Sequence, residues 1–235
     1  MTKTILIIGS SGGLGKELTS YFAERGYRLA LHYNQHEPTL KSGDFKKYKA
    51  DITKEDQVKK MIEQVISDFG KIDVVINNAG VSKSEMTWKM TSENWDQTLA
   101  VNLNGPFYVA KHIVPHMREN GFGRIVFMSS VVAQTGFIGT SAYAASKAGL
   151  IGLTRSLSKE VANKNITVNA IAPGYFNTGM INDVTPEIQE ILKKQIPVGD
   201  LGKPQEIGAL IEYIISDNAS YLTGQTLNLN GGLAG

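Results

Sequence analysis

The 235-residue sequence predicts an α/β protein in which a parallel β-sheet is covered by helices on both faces. Two observations indicate this class: short continuous apolar runs alternate with longer amphipathic stretches, and a glycine-rich turn follows the first apolar run. The composition, 42% hydrophobic and 20% charged, is typical of a globular protein with a sizeable core. Because no repeat or linker divides the chain, we expect one domain over residues 1–235.

The spacing of apolar residues predicts each element in turn. Residues 5–8 form an apolar run that ends in glycine, and Leu14, Leu18, Tyr21 and Phe22 then recur at helical spacing. A strand, a tight turn and a helix therefore begin the chain. The same reasoning predicts later strands at 27–33, 73–76, 124–128, 166–172 and 226–229. It predicts helices at 55–69, 91–119, 142–162 and 204–215.

The segment 174–202 is different in character from the alternating elements around it. It contains Pro186, Pro197, four glycines and a short helical stretch near 187–194. A loop of this length inside a compact domain is usually functional. We therefore expect it to act as a lid over a substrate.

Charge and composition exclude several function classes. The 24 basic and 22 acidic residues are mixed along the chain, which gives no electrostatic reason to expect a nucleic acid or a membrane surface as partner. The absence of cysteine excludes disulfides and thiolate catalysis. The first apolar run is shorter than that of a signal peptide, and no run approaches the roughly 18 residues of a membrane span. We expect a cytoplasmic protein.

Two histidines, His112 and His116, are spaced so that both could ligate a metal from one helix face. No neighbouring carboxylate or cysteine in the sequence completes such a site. We interpret them as partly exposed helix residues and expect no metal.

Two motifs carry the chemistry. Gly9, Gly13 and Gly15 follow the first strand, where a turn without side chains lets backbone approach a pyrophosphate at a helix N-terminus. Tyr143 and Lys147 stand four residues apart in SAYAASKAG, which places them one helical turn apart on one face. Either motif alone has a structural interpretation, as a plain tight turn or as a surface pair.

Together, in this order and spacing, the motifs resemble the short-chain dehydrogenase/reductase family over essentially the whole chain. The matching residues are Gly9, Gly13, Gly15, Asp51, NNAG at 77–80, Asn102, Ser130, Tyr143, Lys147, Pro173, Gly174 and Thr178. The resemblance implies a single Rossmann-type domain with a doubly wound parallel sheet of about seven strands. It also implies a homotetramer assembled through the helices at 91–119 and 142–162.

The same resemblance implies four catalytic residues. Tyr143 is the general acid/base, Ser130 orients the carbonyl, Lys147 lowers the pKa of the tyrosine, and Asn102 holds a water that links Lys147 to solvent. Ser129 competes with Ser130, and we prefer Ser130 because it lies thirteen residues before Tyr143, a spacing similar to the family's. Singly, Ser130 could be a strand-end turn residue, and Asn102 could be a helix-kink residue.

For the cofactor, the resemblance implies a nicotinamide dinucleotide. Its predicted contacts are Gly9, Ser11, Gly12, Gly13, Leu14, Gly15, Asn34, Asp51, Ile52, Asn78, Ala79, Gly80, Tyr143, Lys147, Pro173, Gly174, Phe176 and Thr178. The second strand, in LALHYNQH, has no acid at its end to bind ribose hydroxyls, which favours NADP(H). NAD(H) is the alternative, because Gly12 stands where many NADP-dependent relatives carry arginine. The connection 34–51 is too short for the family's full helix, so we expect an open adenine end.

Within the family, stretches such as GRIVFMSSVV, YAASKAGLIGLTRSL and ASYLTGQTLNLNGG are most similar to 3-oxoacyl-acyl-carrier-protein reductases and acetoacetyl-CoA reductases. The implied reaction, as in fatty acid biosynthesis, reduces a 3-oxoacyl thioester. Predicted substrate contacts are Ser130, Gln134, Phe137, Ile138, Tyr143, Tyr175 and Met180. Arg118 and Lys164 are candidates to meet the phosphates of CoA or an acidic carrier protein. The alternatives are a dehydrogenase of a sugar, steroid or other small carbonyl, and a non-catalytic nucleotide-binding regulator.

Overall fold

A computed structural model describes residues 2–179, 181 and 184–234. The strands are β1 (Thr4–Ile8), β2 (Arg28–Tyr33), β3 (Phe45–Lys49), β4 (Val74–Asn77), β5 (Gly123–Met128), β6 (Ile166–Pro173) and β7 (Thr226–Leu229). They form one sheet in the order β3-β2-β1-β4-β5-β6-β7, and every neighbouring pair is parallel. The predicted fold class is confirmed.

Helices join most of the successive strands and cover both faces of the sheet. They are α1 (Gly13–Glu24), α2 (Glu55–Phe69), α3 (Ser92–Leu99), α4 (Gly105–Asn120), α5 (Val132–Thr135), α6 (Ser141–Val161), α7 (Pro186–Gln195) and α8 (Pro204–Ile214). A π-helical turn, Ala100–Asn104, joins α3 to α4, so the helical stretch predicted at 91–119 contains a local change of winding. No helix in the described part of the chain is long and apolar enough to cross a membrane.

The two faces of the sheet bury two separate hydrophobic clusters. Leu6 and Ile8 point to the face covered by α2, α4 and α6, while Ile5 and Ile7 point to the face covered by α1 and α8. Successive strand residues alternate between the faces, and both faces are covered. This explains why the central strands are continuous apolar runs in the sequence.

Strand β3 was not predicted from the apolar pattern. In its sequence, FKKYK, only Tyr48 is buried, because β3 lies at the sheet edge and pairs with β2 alone. The lysines at 46, 47 and 49 are exposed to solvent on this edge strand. No helix lies between β2 and β3, as expected from the short connection.

The strand order reverses between β1, which continues to β2 on one side, and β4, which continues to β5 on the other. In open parallel sheets a ligand crevice forms outside the carboxyl ends of the strands at such a point. The segments that follow β1, β4, β5 and β6 meet there, and they carry most of the residues singled out in the sequence.

Candidate active site

The turn between β1 and α1 requires glycine at two positions. Gly9 has a φ of 77°, and a Cβ there would lie 2.7 Å from the Cα of Ala79. A Cβ at Gly15 would lie 1.9 Å from the carbonyl oxygen of Gly9. The side-chain amide of Asn78 donates a hydrogen bond of 2.9 Å to that same oxygen, which joins the turn to the end of β4.

The N-terminus of α1 fits an anion. Gly12 precedes the helix and has no side chain that could cap its free N–H groups. A Cβ on Gly12 would meet no heavy atom within 4 Å among the described residues, so space lies beside these N–H groups. Backbone donors and the helix dipole at such an end favour a phosphate group. These residues therefore fit the pyrophosphate of a dinucleotide.

Tyr143 and Ser130 lie side by side at the carboxyl edge of the sheet. Ser130 follows β5, and Tyr143 lies in the first turn of α6. The N–H of Val132 donates a hydrogen bond of 3.2 Å to the Ser130 oxygen, which fixes its position. Burial raises the pKa of the Tyr143 phenol, and the neighbouring Ser130 hydroxyl opposes that rise. Both hydroxyl groups therefore lie at this edge of the sheet.

The adjacent serine has a different partner. Ser129 donates from its hydroxyl to the carbonyl oxygen of Lys147, at 2.9 Å, and so links the end of β5 to the backbone of α6. Ser129 is thus occupied by the backbone of α6, and Ser130 is the serine that influences the Tyr143 phenol.

Lys147 is buried beneath Tyr143. Its Nζ lies 5.7 Å from the centre of the tyrosine ring and donates a hydrogen bond of 2.7 Å to the carbonyl oxygen of Met128. Burial lowers the pKa of Lys147 to about 8. The net direction of the Tyr143 pKa is upward in this structure, because burial of the phenol outweighs the opposing effect of Ser130.

Asn102 is fully buried in the π-helical turn, and its amide groups are all engaged. Its Oδ1 accepts from the N–H of Val81 and its Nδ2 donates to the carbonyl of Val81, both at 2.8 Å. Nδ2 also contacts the hydroxyl of Ser146 at 3.1 Å, and that hydroxyl donates to the carbonyl oxygen of Tyr143 at 2.7 Å. Asn102 therefore connects the segment after β4 to the turn of α6 that carries Tyr143.

Gly80 leaves a small space between Asn102 and Lys147. A Cβ on this residue would lie 3.3 Å from the Nζ of Lys147 and 3.5 Å from the Oδ1 of Asn102. Both polar atoms therefore border the same space. The predicted water between Asn102 and Lys147 would lie in this part of the structure.

The predicted adenosine contacts lie at the ends of β2 and β3. Asn34 is exposed after β2. The carboxylate of Asp51 accepts from the N–H of Thr53 at 2.9 Å and from its hydroxyl at 2.7 Å. Ile52 is buried and packs against Gly105, where an added Cβ would lie 2.8 Å from the Ile52 side chain. No helix lies between β2 and β3 at this end of the crevice.

The two ends of the predicted lid, residues 174–202, are hydrogen-bonded to each other. Phe176 forms an isolated parallel bridge with Gly202, and Gly202 donates to the carbonyl oxygen of Tyr175 at 2.9 Å. The lid also reaches the glycine turn, since a Cβ on Gly13 would lie 2.9 Å from the Cα of Gly179. At its base, Gly174 donates to the carbonyl oxygen of Leu229 at 2.9 Å. The helix predicted near 187–194 is present as α7.

The predicted substrate contacts are less closely grouped. Phe137 and Ile138 are exposed, at 55% and 77%, and Tyr175 is partly buried. The Gln134 amide donates to Oδ1 of Asn228 on β7, at 2.8 Å, and lines a separate cavity beside that strand. Met180 lies outside the described residues.

The two histidines of α4 have separate partners. Nε2 of His112 lies 3.0 Å from a carboxylate oxygen of Glu55, and Nε2 of His116 accepts from the N–H of Ile72 at 3.4 Å. Folding brings the start of α2 against α4, so Glu55 reaches His112 alone of the two. The rings contact different groups and do not converge on one point.

Sequence reasoning missed His32. This side chain is 2% exposed on β2, and its ring contacts both Gly9 and Ala50. The signal that could have found it is a single polar residue inside the apolar run LALHY.

Comparisons with known proteins find relatives over almost the whole chain. The family model described as enoyl-(acyl carrier protein) reductase matches residues 8–234. The 3-oxoacyl-[acyl-carrier-protein] reductase FabG of Staphylococcus aureus is 37% identical over 242 residues, covering 99% of this chain and 98% of the relative. The protein of the same name from Thermotoga maritima is 38% identical over 239 residues, covering 98% and 97%. Nodulation protein G of Azospirillum brasilense is 38% identical over 240 residues, covering 98% of each.

Proposed function

This chain belongs to the short-chain dehydrogenase/reductase family, and on that premise we propose that it reduces the 3-oxo group of an acyl thioester to a 3-hydroxyl group with NADPH. The observation that carries the proposal is the grouping of the Ser130 and Tyr143 side chains with the buried Lys147, whose Nζ lies 5.7 Å from the centre of the tyrosine ring. The names of the Staphylococcus aureus and Thermotoga maritima relatives support a 3-oxoacyl group carried on acyl carrier protein. Acetoacetyl-CoA is the simplest substrate of the same class.

Ser130 and Tyr143 act on the carbonyl oxygen. When bound, the reduced nicotinamide supplies the hydride that forms the new C–H bond at C3. Negative charge then develops on the oxygen, where Ser130 donates a hydrogen bond and Tyr143 transfers its phenolic proton. The C=O double bond becomes a C–O single bond, and the oxygen stays on C3 as the new hydroxyl group. The two residues thus divide orientation and proton transfer between them.

Lys147 and Asn102 return the proton to Tyr143. The tyrosinate left after proton transfer is stabilised by the ammonium group of Lys147. Since burial brings the pKa of Lys147 to about 8, this group can lose and regain a proton near neutral pH. A water held in the space beside Gly80, against Asn102, would connect Lys147 to solvent. A scaffold that only bound nucleotide would have no use for this arrangement.

The preference for NADPH is supported by the end of β2. Asn34 stands there in place of an acid that would bind the ribose hydroxyls of NADH and repel a 2′-phosphate. The open connection after Asn34 leaves room for that phosphate. NADH is the alternative cofactor.

The assembly is proposed to be a homotetramer that packs through α4 and α6. Phe107 is 46% exposed on α4, which supports a contact on that face. Arg118, in the last turn of α4, and Lys164, in the short 3₁₀ turn after α6, remain candidates for contacts with an acidic carrier protein.

A second candidate reaction is reduction of a 2-enoyl thioester, because the description of the matching family model names that activity. A carbonyl substrate uses the two hydroxyl groups better, since charge develops on one oxygen that both can reach. An assay that follows NADPH and NADH absorbance separates the candidates. It would offer acetoacetyl-CoA, a 3-oxoacyl and a 2-enoyl carrier-protein thioester, and an unrelated ketone.

We expect NADPH oxidation with the 3-oxoacyl thioesters. Oxidation with the 2-enoyl thioester alone would favour the second reaction, and oxidation with the ketone alone would favour a small-carbonyl dehydrogenase. Binding of NADPH without oxidation of any substrate would favour a regulator.

A further inference from the structure

The imidazole of His32 joins two segments that border the proposed dinucleotide site. Its Nδ1 lies 3.1 Å from the backbone nitrogen of Gly9 in the glycine turn. Its Nε2 lies 3.0 Å from the carbonyl oxygen of Ala50, the residue before Asp51. The ring is 2% exposed, so water does not replace either partner.

These two partners fix the protonation state of the ring. The N–H of Gly9 can only donate, so Nδ1 must be the unprotonated acceptor, and the carbonyl of Ala50 can only accept, so Nε2 must carry the hydrogen. The ring is therefore neutral, with both nitrogens satisfied. A protonated ring would place an N–H against the N–H of Gly9.

The backbone of His32 holds the same turn from a second side. Its carbonyl oxygen accepts from the N–H of Ser10 at 3.0 Å and from the Ser10 hydroxyl at 2.9 Å. Gly9 and Ser10 are thus both bound to one residue of β2. Ser10 is itself fully buried, so these bonds are sheltered from water.

The hydrogen bonds of the His32 ring to Gly9 and Ala50 form a brace between the two segments. Its position matters because no helix lies between β2 and β3. The segment around Asp51 and Ile52 has no such helix beside it to set its distance from the glycine turn. The His32 ring spans that distance directly. A change in the ring would alter the spacing between the pyrophosphate end and the adenosine end of the crevice.

We propose that His32 is a positioning residue for the dinucleotide, holding Gly9 and Ala50 at the separation that the bound cofactor requires. This inference rests on the proposed function, since it assumes that the glycine turn and Asp51 bind one dinucleotide. It assigns His32 no contact with the substrate. Its loss therefore weakens cofactor binding and leaves the chemical step unchanged.

Two substitutions separate the two hydrogen bonds. In His32→Asn the side-chain oxygen takes the place of Nδ1 and can still accept from Gly9, while the bond to Ala50 is lost. In His32→Gln the side-chain nitrogen takes the place of Nε2 and can still donate to Ala50, while the bond to Gly9 is lost. His32→Ala removes both.

A matched control is Asn169→Ala. Asn169 is 1% exposed on β6 and also joins two backbone groups, donating to Leu222 at 2.8 Å and accepting from Gln225 at 3.1 Å. Its loss removes a buried brace of the same kind near the opposite edge of the sheet. It reports what general destabilisation does to cofactor binding.

The test measures the Kd of NADPH by fluorescence titration of the full-length variants, together with steady-state kinetics. We expect His32→Ala to raise the Kd and the KM of NADPH about tenfold, and the Asn and Gln variants to raise them about threefold to fivefold. The kcat and the KM of acetoacetyl-CoA at saturating NADPH should stay within about twofold of wild type. Asn169→Ala should leave the Kd unchanged.

Three results would contradict the inference, and they are distinguishable from one another. An unchanged Kd in His32→Ala would show that the ring is structural only. An equal rise in Asn169→Ala would assign the effect to general destabilisation. If wild-type protein bound neither NADPH nor NADH, both the role of His32 and the proposed function would be overturned.

Discussion

The ammonium nitrogen of Lys147 lies 2.7 Å from the carbonyl oxygen of Met128, two residues before Ser130. The buried lysine thereby fastens α6, which carries Tyr143, to the end of β5, which leads to Ser130. A second bond from Ser129 to the backbone of Lys147 strengthens the same junction. The relative position of the two hydroxyl groups is thus set by contacts beneath the site.

The adjacent serines give the first prediction. Ser130→Ala removes the hydrogen bond to the reacting oxygen, and we expect kcat to fall about 100-fold to 1000-fold with little change in stability. Ser129→Ala removes only the bond to α6, and should lower the free energy of unfolding by about 1 kcal/mol while kcat stays within about threefold. Steady-state kinetics and urea unfolding of both variants provide the comparison. A larger loss of kcat in Ser129→Ala would reverse the assignment.

The glycine turn gives the second prediction. A Cβ at Gly15 would lie 1.9 Å from the carbonyl oxygen of Gly9, so Gly15→Ala should destabilise the chain by more than about 3 kcal/mol or prevent folding. Gly12→Ala meets no heavy atom within 4 Å among the described residues and should fold normally, yet its methyl group enters the space proposed for the pyrophosphate. Its Kd for NADPH should rise at least about tenfold. Unchanged binding in Gly12→Ala would show that the phosphates lie elsewhere.

The third prediction concerns the pH dependence of stability. Burial lowers the pKa of His32 from 6.5 to about 4, and Asp51 is the neighbouring charged group that opposes this. Between pH 6.5 and 4 the His32 ring is therefore protonated in the unfolded chain and neutral in the folded chain. The contribution of this group to the free energy of unfolding is complete above pH 6.5 and is lost as the pH falls through that range. The loss is about 2 kcal/mol by pH 4.5.

Urea unfolding at pH 7 and pH 4.5 checks this prediction. His32→Asn lacks the titrating ring, so the stability difference between wild type and this variant should shrink by about 2 kcal/mol on acidification. A difference that stays constant over this range would show that His32 titrates normally in the folded chain.

Cofactor choice gives the fourth prediction. Asn34→Asp places a carboxylate at the end of β2, where it would repel a 2′-phosphate and bind ribose hydroxyls. The ratio of kcat/KM for NADPH to that for NADH should fall at least about tenfold. Asn163→Asp makes the same charge change on an exposed residue after α6, and should leave the ratio unchanged. An unaltered ratio in Asn34→Asp would place the 2′-position away from this strand.

Most of the fold followed from the sequence because buried parallel strands are continuous apolar runs and the covering helices are amphipathic. The predicted helix at 55–69 and strand at 226–229 match the structure residue for residue. Strand β3 was not predicted because it lies at the sheet edge, pairs with β2 alone and buries one side chain, Tyr48. A single buried residue gives no apolar run that the sequence could show.

The candidate site divides in the same way. Motif spacing singled out Ser130, Tyr143 and Lys147, because they lie just after β5 or in the first two turns of α6, and both elements were predictable from the sequence. The role of His32 escaped because its partners, Gly9 and Ala50, come from distant parts of the sequence. The direction of the Tyr143 pKa was also missed, because burial is a property of the packed chain. The position of Gln134 against Asn228 depends likewise on how β7 joins the sheet.

The most direct test of the account is the rate of NADPH oxidation by Tyr143→Phe with acetoacetyl-CoA, compared with Tyr213→Phe, which changes an exposed tyrosine on α8. We predict that Tyr143→Phe lowers kcat about 1000-fold while the Kd of NADPH stays within about twofold, and that Tyr213→Phe retains wild-type kinetics. Wild-type kcat in Tyr143→Phe would contradict the claim that this phenol supplies the proton.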